Sequence, residues 1–166
     1  MENLKQFLAL CFFKYQQPEL TENTPLSTAV LLYSCAAIAI QINFHGALGA
    51  SVATGVEILL TLGFLGLCVF YNKLLEEFIP LTCAVLICTS MIAGICLPFI
   101  IMLYFVKGKL ALFLYYTIVS LIIWNIIVVR YLFHKILIIS EMRSFILALG
   151  YFIVSYVLPF LAILIL

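Results

Sequence analysis

Long apolar stretches with almost no charge inside them dominate this sequence, and they decide what it can fold into. Across its 166 residues, 67% are apolar and 9% are charged, whereas a water-soluble domain carries roughly a quarter charged residues. So little polar surface cannot cover a globule of this size, so the surplus apolar surface has to face lipid. At ~20 residues per crossing, the apolar content allows at most about five spans and leaves no room for a soluble domain. The pattern predicts an all-α polytopic membrane protein with five transmembrane helices and an N-terminal amphipathic interfacial helix.

Periodicity places these parts. In residues 2–15, Leu4, Phe7, Leu8, Cys11 and Phe12 recur at helical spacing on one face. This segment, within an interfacial unit at 1–15, is too short to cross and suits the membrane interface. A polar linker, 16–25, contains Pro18 and Pro25, which stop helices on either side. The transmembrane domain occupies 26–166, with spans at about 26–44, 49–71, 78–105, 110–129 and 144–166. The third is long for one straight crossing, and Pro98 is expected to kink it or to set off a re-entrant piece, 99–105. Arg130 to Arg143 reads as an interfacial stretch.

Lys and Arg give the orientation. With the N-terminus inside, the inner segments hold six of them and the outer ones two, Lys107 and Lys109, which favours N-cytoplasmic and C-outside. The N-terminus lacks a small-residue cleavage site after its apolar run, so Met1 is expected to stay. A net charge of +1 gives no general attraction to nucleic acid.

Catalytic schemes are narrowed by one gap in composition: all seven acidic residues are Glu and none is Asp. Intramembrane aspartyl proteases and Asp-rich isoprenoid enzymes hold metal or move protons with Asp. No HExxH, GxSxG or GxxxxGK[ST] motif occurs. The six cysteines form no CxxC and read as small packing hydrophobes. No enzyme activity, cofactor or metal site is expected.

Glu57 is the one acidic residue inside a predicted span. Counting at 1.5 Å per residue places it roughly 10 Å below the outer boundary, where a carboxylate costs ~2.5 kcal/mol or more. Gly49, Ala53, Glu57 and Thr61 recur every four residues, a small-residue stripe that lets helices approach closely. Glu57 should therefore face another helix, with Gln41, Ser90, Tyr116, Ser155 and Tyr156 at similar depth. Two readings stay open: a protonatable site with Thr61 and Ser90 on an ion or proton path, or a carboxyl group clamping helices by hydrogen bonds. Ser90 and Gly94 form a second small face in the third span. Near the inner end of the fourth span, Asn125 is placed to hydrogen-bond across helices and Trp124 to sit at headgroup level. Arg130, His134, Lys135 and Arg143 form a basic inner collar for anionic headgroups or a protein partner.

The order of features resembles the Yip (Ypt/Rab-interacting protein) membrane family, most closely its small bacterial inner-membrane members. The residues that carry the likeness are Tyr15-Gln16-Gln17-Pro18-Glu19-Leu20, Phe78-Ile79-Pro80-Leu81-Thr82-Cys83-Ala84, Gly94 with Leu97-Pro98, and Arg130-Tyr131-Leu132-Phe133-His134-Lys135-Ile136-Leu137. The resemblance implies a bacterial inner-membrane location and no established activity. The missing catalytic motifs and the helix-packing faces favour a non-enzymatic scaffold or accessory subunit that packs against other membrane proteins or organises lipid. Eukaryotic members carry an Asp-Leu-Tyr-Gly-Pro-like stretch in a long cytosolic N-terminal region. This chain has no Asp, so no Rab-type GTPase partner is expected. The alternative is a small transporter or proton-coupled channel subunit using Glu57.

Overall fold

The computed structural model describes residues 11–13 and 25–159. The polar linker up to residue 24, most of the amphipathic segment at 2–15 and the last part of the 144–166 span lie outside the described residues. Among the described residues all regular structure is helical, and four helices are long and apolar enough to cross a membrane.

The first two, α1 (Leu26–Phe44) and α2 (Gly46–Tyr71), form a hairpin that reverses at one residue. Gly46 makes this reversal possible: its φ of 69° and ψ of 174° lie in a region that only a residue without Cβ occupies cheaply. The second span therefore begins at the turn itself, with no loop up to residue 49. After α2, the backbone N–H of Lys73 donates to Phe70 O and that of Leu74 to Val69 O. Together they form a Schellman closure with Lys73 in the left-handed region at φ 57°. A 3₁₀ turn, Leu75–Glu77, leads into α3 (Phe78–Phe105).

Helix α3 is the centre of the bundle. Residues Leu81 to Thr89 are buried on every face, the mark of a helix surrounded by others. Of the two expectations at Pro98, the re-entrant piece is absent: α3 runs without interruption through Pro98 to Phe105. Proline removes one backbone bond and crowds the preceding turn at ~3 kcal/mol. Ending the helix there would strand several carbonyls among apolar side chains, each costing several kcal/mol, so continuation wins.

Gly108, at φ 75°, turns the chain into α4 (Lys109–Ile136). This helix corrects a second expectation. The helix ends at Ile136 and not at 129: residues 130–136 are the last two turns of α4, with His134 and Lys135 at the negative end of the helix dipole. The connection to α5 (Glu141–Phe152) is correspondingly short. Helix α5 opens into a π-helical turn, Ile153–Val157, and packs back on α2. There a Cβ at Gly150 would stand 3.2 Å from the Phe64 ring, which would have to give by a few tenths of an ångström.

The described N-terminal residues dock on this bundle. Cys11 is buried beside Cys88. The Phe13 ring lies 5.2 Å from that of Trp124 and 5.3 Å from that of Tyr131, whose hydroxyl donates to Phe13 O at 2.9 Å. Trp124 thus stacks on the chain's own N-terminal aromatics. Of the cysteines, Cys35 is exposed rather than packed, and the other five are buried.

Candidate functional site: the polar core and the basic end

The buried face of α2 is a seam of Ala50, Ala53, Thr54, Glu57, Thr61 and Leu65. Small residues at its outer end bring α1 close, which puts the Glu57 carboxyl, 4% exposed, within reach of α1 side chains. The Tyr33 hydroxyl donates to Glu57 Oε1, and Gln41 Nε2 donates to Oε2 at 2.7 Å. Tyr33 and Gln41 stand eight residues, roughly 12 Å, apart along α1. Their long side chains converge on the carboxyl from above and below.

The polar core continues beyond Glu57. Thr61 Oγ1 donates to Ser155 Oγ at 2.8 Å, Thr89 Oγ1 donates to Asn125 Oδ1 at 3.3 Å, and Asn125 Nδ2 reaches the Tyr156 hydroxyl at 3.5 Å. The Tyr156 hydroxyl adjoins that of Tyr33, and the Tyr151 and Tyr156 rings meet edge to face at 6.2 Å. All five helices therefore contribute polar groups to one interior cluster. The π-helical turn carries two of them, Ser155 and Tyr156. One extra residue per turn brings adjacent side chains onto the same inner face, a device common where a helix builds a specific site. A cavity of about 230 Å³ among Ile40, Thr89, Ile92, Asn125, Phe152 and Tyr156 borders the cluster. Two buried atoms beside Glu57, Gln41 Oε1 and Thr54 Oγ1, have no hydrogen-bond partner among the described residues.

The predicted residues are thus sorted. Ala53, Glu57 and Thr61 face the interior, and Gly49 is half-buried at the end of their stripe. Ser90 is not joined to Glu57; its hydroxyl returns to Leu86 O one turn back at 2.6 Å. Gly94 faces outward, with nothing within 4 Å of a Cβ placed there, so it does not pack against α2. Tyr116 is likewise exposed. Tyr33 is the residue that sequence reasoning missed. It lies 13 residues before Gly46 and Glu57 lies 11 after it, a near-symmetry about the turn that could have paired them.

At the opposite extreme, the basic collar divides in two. Arg130 Nη2 forms an ion pair with Glu141 Oε2 at 2.9 Å, and Arg130 Cζ lies 6.0 Å from the Phe145 ring centroid. His134 Nδ1 lies 2.6 Å from Ile139 O. These two residues tie the end of α4 to the start of α5 and, with Phe13, Tyr131 and Glu141, wall a cavity of about 220 Å³. Lys135 and Arg143 are exposed and form no ion pair among the described residues.

The described residues hold no cluster of three His, Cys or Glu side chains placed to bind a metal. No family profile, curated protein or solved structure matches this chain.

Proposed function

We propose that the chain is a non-enzymatic integral membrane protein of the Yip-like kind, a scaffold or accessory subunit that acts through helix packing and lipid contact. In this reading it crosses a bacterial inner membrane five times, with α5 as the fifth span, the N-terminus cytoplasmic and residues 2–15 along the interface. The basic ends of α4 and α5 then meet the cytoplasmic leaflet, where anionic lipids attract them.

The observation that carries the reading is the state of Glu57. Both carboxyl oxygens accept a hydrogen bond from one neighbouring helix, and hydrogen bonds of this sort contribute ~1–3 kcal/mol each, the same order as the cost of placing the group there. The group is used as a clamp. Outward, α2 and α3 present Gly55, Gly63 and Gly94 with open space beyond each, the side-chain type that permits close approach of another membrane helix. The test is purification in mild detergent followed by mass spectrometry of the recovered complex. A defined membrane-protein partner is the expected outcome; a bare monomer without one would sink the accessory role.

A second reading, a small proton-coupled transporter or channel subunit, draws on the unpartnered Gln41 Oε1 and Thr54 Oγ1 beside Glu57 and on the cavity reaching Asn125 and Tyr156. Proton flux into proteoliposomes that is abolished by Glu57→Gln would favour it over the clamp.

A further inference from the structure

A groove at the basic end has an amphiphilic lining. Between the last two turns of α2 and the first turns of α5 lies a cavity of about 570 Å³, within the size range of small-molecule sites. Its mouth holds Asn72 and Arg143, and its walls are Phe64, Leu67, Phe70 and Ile146. From Asn72 to Phe64 the α2 wall descends eight residues, roughly 12 Å, from the polar end of the bundle into its apolar flank. Leu67, Phe70 and Ile146 are more than half exposed, so the groove is open among the described residues. Arg143 is an exposed cation with no ion pair among the described residues, whereas its collar neighbour Arg130 is held by Glu141. Lys73 follows Asn72 directly and occupies a left-handed position, φ 57°, that glycine would fill at lower cost.

We infer that this groove binds one anionic glycerophospholipid, its phosphate on the Arg143 guanidinium and one acyl chain along Phe64, Leu67 and Ile146. The charge pattern selects this occupant. A guanidinium offers paired N–H donors that match phosphate oxygens, and basic pockets between membrane helices on the inner side take anionic headgroups. The inference rests on the membrane-embedded, lipid-contacting reading above and gives that contact a place and a chemistry.

The test is native mass spectrometry of the full chain in mild detergent, titrated with phosphatidylglycerol and, separately, with phosphatidylcholine. One phosphatidylglycerol per chain should be retained in preference to phosphatidylcholine. Arg143→Gln should weaken that retention about ten-fold, the worth of one charge-assisted contact, and Leu67→Trp should weaken it by filling the groove. Lys135→Gln, which removes a cation at the same end but outside the groove, should leave it unchanged. Equal retention of the two lipids by the unsubstituted chain overturns the inference without recourse to any variant. Equal losses from Arg143→Gln and Lys135→Gln overturn it too, and show general attraction to the collar; that result leaves the lipid-contact reading standing. Failure to retain any lipid, together with failure to partition into membranes, defeats both.

Discussion

Glu57 and Arg143 are both ionisable side chains on apolar helices, and the bundle treats them in opposite ways. Glu57 lies 4% exposed in the interior, with both oxygens engaged by Tyr33 and Gln41. Arg143 lies exposed at the basic end, without an ion pair among the described residues. The difference follows from what each can reach. Inside, the carboxyl is almost wholly covered by the chain, and its partners come from the chain: both hydrogen bonds are from α1, within a polar cluster to which five helices contribute. At the edge, water and phosphate are close at hand, so a cation can stand without an internal partner and remain free for an external one. Arg130 shows that the edge also permits pairing, and that such pairing joins helix ends instead of holding the core.

The contrast breaks most readily at Glu57. Glu57→Leu leaves the Tyr33 and Gln41 donors buried without an acceptor and should destabilise the protein by about 3 kcal/mol, read as denaturant unfolding in mild detergent. Glu57→Gln, which keeps an acceptor, should lose about 1 kcal/mol. Equal stability of the leucine variant and the parent would show that the interior does not depend on satisfying this group. Next in size is Gly46→Ala, because the added Cβ strains φ 69°, ψ 174° by about 2 kcal/mol. Its effect should extend to Glu57, since the reversal sets Tyr33 and the carboxyl side by side. Lower accessibility of the α1–α2 interface to hydrogen exchange, or no change in it, would contradict that link.

Smaller effects sharpen the comparison. Ser155→Ala removes the acceptor for Thr61 and should lower stability by about 0.6–1 kcal/mol, the usual worth of one side-chain bond between membrane helices. At the edge, Glu141→Gln breaks the Arg130 ion pair, whose side chains are 38% and 75% exposed. It should alter stability by less than about 0.5 kcal/mol, and added salt should shrink even that. A loss as large as that of the Ser155 variant would erase the distinction between interior and edge.

The interior is partly legible in the sequence. The stripe Ala53, Glu57, Thr61 points inward because helical periodicity fixes which residues share a face, and depth alone puts Gln41, Ser155 and Tyr156 within range. Depth alone also brings in Ser90 and Tyr116, which lie on other faces of α3 and α4 than the cluster residues Thr89 and Asn125. Tyr33 lies at nearly the depth of Glu57 when both are counted from the Gly46 turn, and on the buried face of α1. The π-helical turn at Ile153–Val157 has no signature in composition, yet it supplies Ser155 and Tyr156. The continuation through Pro98 and the last two turns of α4 escape sequence reasoning. Proline and a basic run both read as helix boundaries, but at Pro98 ending the helix among apolar side chains costs more than extending it. At the end of α4 a basic run suits the last turns of a helix as well as a segment beyond it.

The aromatic stack over Trp124 has an optical consequence. Trp124 is the chain's one tryptophan, and Phe12 and Phe13 cover it at ring separations of 6.3 and 5.2 Å. Intrinsic fluorescence excited at the indole therefore reports on a single contact, the seating of the N-terminal segment on α4. Peeling that segment away would expose the indole to a different medium and move its emission while every other helix stays silent.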